Sequence, residues 1–196
     1  MSREPTYQIV SFDEDPRVSY IEDIDANVPD DFKLTEGVSL KKDISKANTF
    51  SVSKDGGDML CDLVENLSGV LIVSTRAREA LEAAGVTGKV VEYLPFTLKD
   101  KRGRPTKQEY FVANLRQKVA CMDRDNSEFV DSDVDGAILS VQRLTVLPKK
   151  ILKDAQLFRL GEYPRVIVIR SDLAKRLRDE KLTGLTFREQ GEEFKW

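Results

Sequence analysis

Apolar positions along this chain follow two rules in alternation: short unbroken runs that suit strands covered on both faces, and runs spaced at helical intervals. Leu60, Leu63, Val64 and Leu67 fall at i, i+3, i+4 and i+7 after Gly56-Gly57-Asp58. That spacing predicts an amphipathic helix of about three turns, with Asp58 as its N-cap and Asn66, Ser68 and Gly69 closing it. Val70-Leu71-Ile72-Val73 is an unbroken apolar run and predicts a buried strand. It leads through Ser74-Thr75 into a second helix carrying Ala77, Ala80, Leu81 and Ala84, which Gly85 ends.

The same order returns 96 residues further on. Val166-Ile167-Val168-Ile169 predicts a strand, Ser171-Asp172 a cap, Leu173 and Leu177 a third helix, and Leu182-Thr183-Gly184 a turn into Leu185-Thr186-Phe187. An internal duplication is left open, because the shared positions are apolar, capping or glycine, and any α/β protein can use that unit twice. Between the two units, Glu109 to Cys121 and Gly136 to Leu147 are rich in β-branched and aromatic residues and read as sheet segments. They flank the acidic stretch Asp123 to Asp135, while Lys99 to Lys107 reads as an exposed hairpin tip and a candidate for local mobility. Thr6 to Phe12 and Val18 to Ile24 are expected to pair as a short hairpin. The fold class is therefore α+β. We expect a single mixed α/β domain over residues 1–196, with two strand-helix-turn-strand units, an intervening antiparallel sheet region, and an acidic N-terminal region of short strands over 1–50.

Composition narrows the chemistry. The 196 residues contain no histidine, which removes Ser-His-Asp and Cys-His nucleophilic systems, histidine bases and histidine metal sites together. Cys61 and Cys121 form no C-x-x-C pair, so both read as small buried side chains, with no disulfide framework or thiolate zinc site. Met1 to Val10 lacks a basic stretch followed by an apolar one, and no run approaches a spanning helix; the expectation is a cytoplasmic protein.

Charge is segregated. Residues 1–36 hold ten acids against three bases, a net −7 that the rest of the chain offsets with +4 to reach the overall −3. Asp123 to Asp135 holds six acids against Arg124, and Lys99 to Lys118 seven bases against Asp100 and Glu109. Such blocks are solvated faces or surfaces that dock a complementary partner. Asp131-Ser-Asp133-Val-Asp135-Gly136 matches the first half of an EF-hand loop, but the position of its closing glutamate holds Gln142, and strand pattern follows where a helix belongs. Asp55 and Asp58 flank Gly56-Gly57 and argue against phosphate there. An enzyme using carboxylates or a bound metal would centre on Asp123, Asp125, Asp131, Asp133 and Asp135. A nucleic-acid binder would use Lys99 to Lys118, with Tyr110 and Phe111 as stacking rings. The acidic chain, with pI near 5.3, speaks against the latter.

Tyr110-Phe-Val-Ala-Asn114, Val119-Ala-Cys-Met-Asp123 with Ser127, Leu157-Phe158-Arg159 and Leu182-Thr183-Gly184-Leu185-Thr186-Phe187, in that order, resemble the Imm11 (DUF1629) immunity proteins of bacterial polymorphic toxin systems. The likeness covers roughly the last 130 residues, an Imm11-like core over 58–196; the region up to Glu36 carries none of these motifs. It implies a cytoplasmic protein that binds a cognate toxin domain and neutralises it without catalysis, cofactor or metal; a homo-oligomer is left open. Asn114, Asp123, Ser127, Phe158, Arg159, Gly184 and Phe187, the matched positions, are expected to form the fold, with Phe158 and Phe187 in the core and Asp123 with Ser127 closing a loop. Toxin contact is expected instead from Asp13, Glu14, Asp15, Glu22, Asp23, Asp25, Asp131 and Asp133.

Overall fold

The computed structural model describes residues 5–12 and 15–194. Six strands close into a barrel: β2 (Tyr20–Ile24), β3 (Thr49–Val52), β4 (Leu63–Asn66), β5 (Ile72–Ser74), β6 (Val91–Lys99) and β7 (Tyr110–Leu115), in the order β2-β3-β6-β7-β5-β4. A five-stranded sheet, in the order β13-β1-β12-β11-β8, comprises β1 (Tyr7–Phe12), β8 (Lys118–Val119), β11 (Leu157–Leu160), β12 (Ile167–Arg170) and β13 (Leu185–Arg188). The remaining pair, β9 (Glu128–Asp131) and β10 (Ile138–Arg143), forms a separate antiparallel ribbon. A short helix α1 (Asp31–Thr35) follows β2. Helices α2 (Thr75–Ala83) and α3 (Ser171–Asp179) follow β5 and β12 directly.

Strand alternation distributes the apolar residues among three cores. Along β7, Tyr110 and Val112 point into the barrel, where Phe50 and Phe96 stack at 4.2 Å, while Phe111, Ala113 and Leu115 point out toward the helices. Both faces are covered, and every position of the strand except Asn114 is apolar or aromatic. The middle core joins Ala77 and Leu81 of α2 and Leu173, Ala174 and Leu177 of α3 to the barrel wall and to one face of the five-stranded sheet through Val10, Leu157, Ile167 and Ile169. The opposite face of that sheet, with Tyr7, Ile9, Phe158, Leu160 and Val168, is covered by Cys121, Val141, Leu144, Val146 and Phe194.

The mixed α+β class stands, as do the strand-helix pairs at Ile72 and Ile167 and the sheet segments around Tyr110 and Ile138. The two units also share a topology: β5 and β6 run parallel with antiparallel β7 between them, and β12 and β13 run parallel with antiparallel β1 between them. The inserted strand comes from downstream in the first unit and from the N-terminus in the second.

Three local expectations are corrected. Residues 60–67 form no helix: Leu63 and Val64 occupy opposite faces of β4, Leu67 is exposed in the following turn, and Asp58 pairs with Lys101 Nζ at 2.9 Å. Pairing with β2 and β5 offers that segment two cores at once, which a one-sided helix would forgo. The N-terminal strands exist but do not pair with each other, since β1 is buried along its whole length and lies between β12 and β13, whereas β2 carries exposed acids and joins the barrel. The third helix starts at Ser171 itself, after Arg170, and has no side-chain cap.

Candidate interaction surface

Several of the matched motif residues, with Asp62, Arg76, Glu92 and Arg116, join distant parts of the fold. Asp62, buried ahead of β4, accepts from Ser74 Oγ at 2.8 Å, Arg76 Nη1 at 3.1 Å and Thr183 N at 3.0 Å, and so ties the barrel to the turn after α3. In that turn Gly184 has φ 77°, and a β-carbon there would lie 2.2 Å from the Leu63 carbonyl oxygen. Glu92 on β6 accepts from Ser39 Oγ, Leu40 N, Asn114 Nδ2 and Arg116 Nη1, holding the segment after α1 against the barrel. Burial pushes its carboxyl up, but the bonds from Ser39, Leu40 and Asn114 and the charge of Arg116 outweigh it, so the net shift is downward.

Arg159, wholly buried on β11, donates through Nη1 to the carbonyls of Gly69 at 3.0 Å and Pro164 at 2.7 Å, pinning the β4–β5 turn to the five-stranded sheet. Its Nε and Nη2 find no partner among the described residues, and burial lowers the guanidinium to about 10. Phe158 is buried beneath Tyr7, their rings 6.0 Å apart and edge-on. Phe187 packs against the middle core and stays partly exposed, under the Arg178 guanidinium at 4.8 Å. Asp123 accepts from Asp125 N and Asn126 Nδ2, while Ser127 Oγ exchanges bonds with the backbone of Thr145. Glu92 and Asp62 left one signal in the sequence: each is a lone acid inside an apolar segment.

The acidic positions do not form one cluster. Asp13 and Glu14 lie outside the described residues. Asp15 pairs with Arg17 at 2.5 Å, whose hydrogen bonds hold its carboxyl down to about 2. Glu22 and Asp23 are exposed on β2. Asp25 accepts from the backbone of Asn27 and of Thr49, which lowers its carboxyl and makes it part of the turn. Asp131 and Asp133 belong to the β9–β10 ribbon instead, Asp131 meeting Arg124 at 2.9 Å. Asp135 accepts from Ala137 N within the β9–β10 turn. Among the described residues no three acidic or thiol side chains come together as metal ligands.

The basic segment is likewise engaged. Lys101 pairs with Asp58, Arg104 with Asp100, Arg116 with Glu92 and Lys118 with Glu36. Tyr110 and Phe111 are buried, Tyr110 donating to the Cys61 carbonyl, so these rings offer no stacking platform. A cleft of about 360 Å³ beside the β6–β7 turn is lined by Asp58, Asp100, Lys101, Arg102 and Arg104, with Lys101 paired to Asp58 and Arg104 to Asp100. Both cysteines are buried, and burial raises the Cys121 thiol to about 12, far from a nucleophile's range. Among the described residues no helix is long and apolar enough to cross a membrane.

The described surface carries exposed acids on β2 and on the β9–β10 ribbon. No curated protein matches the chain. The family described as Immunity protein family (Imm11) matches residues 7–192, from the first residue of β1 to beyond β13, and so takes in the N-terminal strands that lack the quoted motifs. With nearly its whole length matched, this chain belongs to the Imm11 immunity protein family.

Proposed function

We propose that this protein is a non-catalytic inhibitor that binds a cognate bacterial toxin domain in the cytoplasm and neutralises it by occupying its surface. Membership of the Imm11 family carries the reading. Its partner is a protein, the toxin domain of a polymorphic toxin system, and the acids that face it are drawn from Asp13, Glu14, Asp15, Glu22, Asp23 and Asp25 near the N-terminus and Asp131 and Asp133 on the ribbon, of which Glu22, Asp23, Asp131 and Asp133 are exposed. A toxin that grips phosphates presents a basic cleft, and acids facing it raise the association rate in a salt-dependent way.

The test uses the C-terminal domain of the protein encoded beside this chain. Cells expressing that domain survive when this chain is co-expressed, and its activity in vitro titrates linearly to zero at one equivalent. Death despite co-expression removes the immunity reading. Inhibition by far less than one equivalent replaces binding with catalysis.

A further inference from the structure

We infer that the β9–β10 ribbon is the element that docks the partner, seating its tip in an apolar depression ringed by basic side chains on the toxin domain. The inference rests on the immunity reading and adds the contact surface and the partner's chemistry. Three observations converge on this ribbon.

First, it stands outside both larger sheets: among the described residues β9 pairs only with β10. Its outer edge therefore offers backbone donors and acceptors to another chain. One face is anchored, with Phe129, Ile138 and Val141 against the core beneath the five-stranded sheet.

Second, the outer side and tip carry large apolar side chains in water. Val134 is 96% exposed, Leu139 59% and Val130 48%. Stability does not require them there, and a cluster of this kind on a short ribbon marks a contact surface. The turn that presents Val134 is pre-ordered: Ser132 N donates to the Ala137 carbonyl at 2.8 Å, Gly136 N to the Ser132 carbonyl at 2.9 Å, and Gly136 takes φ 69°. A pre-ordered tip loses little entropy on docking.

Third, the charge left over is negative and sits on both sides of Val134. The ribbon's arginine neighbours are taken up locally, Arg143 by Glu128 at 3.3 Å and Arg124 by Asp131 at 2.9 Å, with the Arg124 guanidinium over the Phe129 ring at 4.5 Å. Asp133 and Asp135 remain exposed beside Val134. An acid-valine-acid tip complements an apolar pocket with a basic rim. It repels nucleic acid and anionic lipid, and two copies meeting tip to tip would oppose like charges.

The experiment pairs Val134→Ser with Asp133→Lys, and uses Leu152→Ser, a change at another exposed apolar residue, as control. Each variant is assayed for binding to the C-terminal domain of the neighbouring gene product, for cell survival and for thermal unfolding. The ribbon variants should bind at least tenfold more weakly and melt as the parent does, while the control binds normally. A position as exposed as Val134 leaves folding intact, so weakened binding there reads the interface alone. Ribbon variants that bind and protect like the parent overturn the inference and leave the immunity reading standing. A parent chain that neither binds nor protects overturns both. Size-exclusion chromatography supplies the other occupant: a parent dimer that Val134→Ser converts to monomer assigns the tip to a second copy and overturns the inference.

Discussion

Asp62 and Thr183, 121 residues apart in the chain, are joined by three hydrogen bonds: Thr183 N and Oγ1 donate to the Asp62 carboxylate at 3.0 and 3.1 Å, and Asp62 N donates to Thr183 Oγ1 at 3.0 Å. This contact seats the turn after α3 on the barrel and leaves no room at the next residue. Gly184→Ala combines a left-handed backbone with a β-carbon inside contact distance of the Leu63 carbonyl, so it should cost about 2–5 kcal/mol in urea unfolding. A shift under half a kcal/mol would mean that the joint yields freely.

Glu92 makes stability depend on acid. Its folded pKa lies below the ordinary 4.5, so the unfolded chain binds the proton more readily, and the stability it contributes is present above that value and lost as pH falls through the folded one. Glu92→Gln should therefore be less stable near pH 7 and show a shallower decline below pH 4.5. Parallel acid limbs in urea titrations of the two proteins would remove Glu92 as a source of that decline.

Arg159 holds the β4–β5 turn across the two sheets. Arg159→Ala strands the Gly69 and Pro164 carbonyls and opens a void, at a cost of about 3 kcal/mol or more, and Arg159→Lys should recover little, since its ammonium ends one bond short of the Nη1 position that reaches both. Hydrogen exchange at Ser68 and Val70 should quicken ahead of the rest of the barrel. Full rescue by lysine would contradict the geometric argument.

The two motif phenylalanines should behave unequally. Phe158→Ala removes a ring with no exposure and should lose about 3–5 kcal/mol. Phe187→Ala exposes a site already partly wet and gives up one cation–π contact, so about 1–2 kcal/mol is expected. Chemical denaturation of both variants decides between this order and equal losses.

Among the N-terminal acids, Glu22→Lys/Asp23→Lys should melt normally, because both carboxylates are exposed on β2. Toxin association should slow several-fold at low salt with dissociation unchanged, the signature of steering. Asp25→Lys should melt lower, since its carboxylate holds the Asn27 and Thr49 amides. A faster dissociation for the Glu22/Asp23 variant would place these acids inside the interface.

The sequence by itself determined what a ten-residue window can carry. The apolar runs at Ile72 and Ile167, the helical spacing of Ala77 with Leu81 and of Leu173 with Leu177, and the glycine ending each turn all act through neighbours, so β5-α2 and β12-α3 stood in the pattern before any contact was known. The absent histidines and the buried cysteines were equally plain, and the ordered motifs were enough to point to the family.

The tertiary structure decided where each segment finds its partner. Leu63 and Val64 fit a helix by spacing and became a strand because two cores lay on either side of it. Tyr110 and Phe111, the rings on which a nucleic-acid binder would have stacked bases, are covered, one by the barrel and the other by the helices. β1 crossed to a sheet whose other strands are made more than 100 residues later, and Asp62 became a joint only when Thr183 arrived. Each outcome turns on which surface remains unburied after distant segments have packed. No local pattern holds that information, since the free energy that selects it is shared between residues the chain keeps far apart.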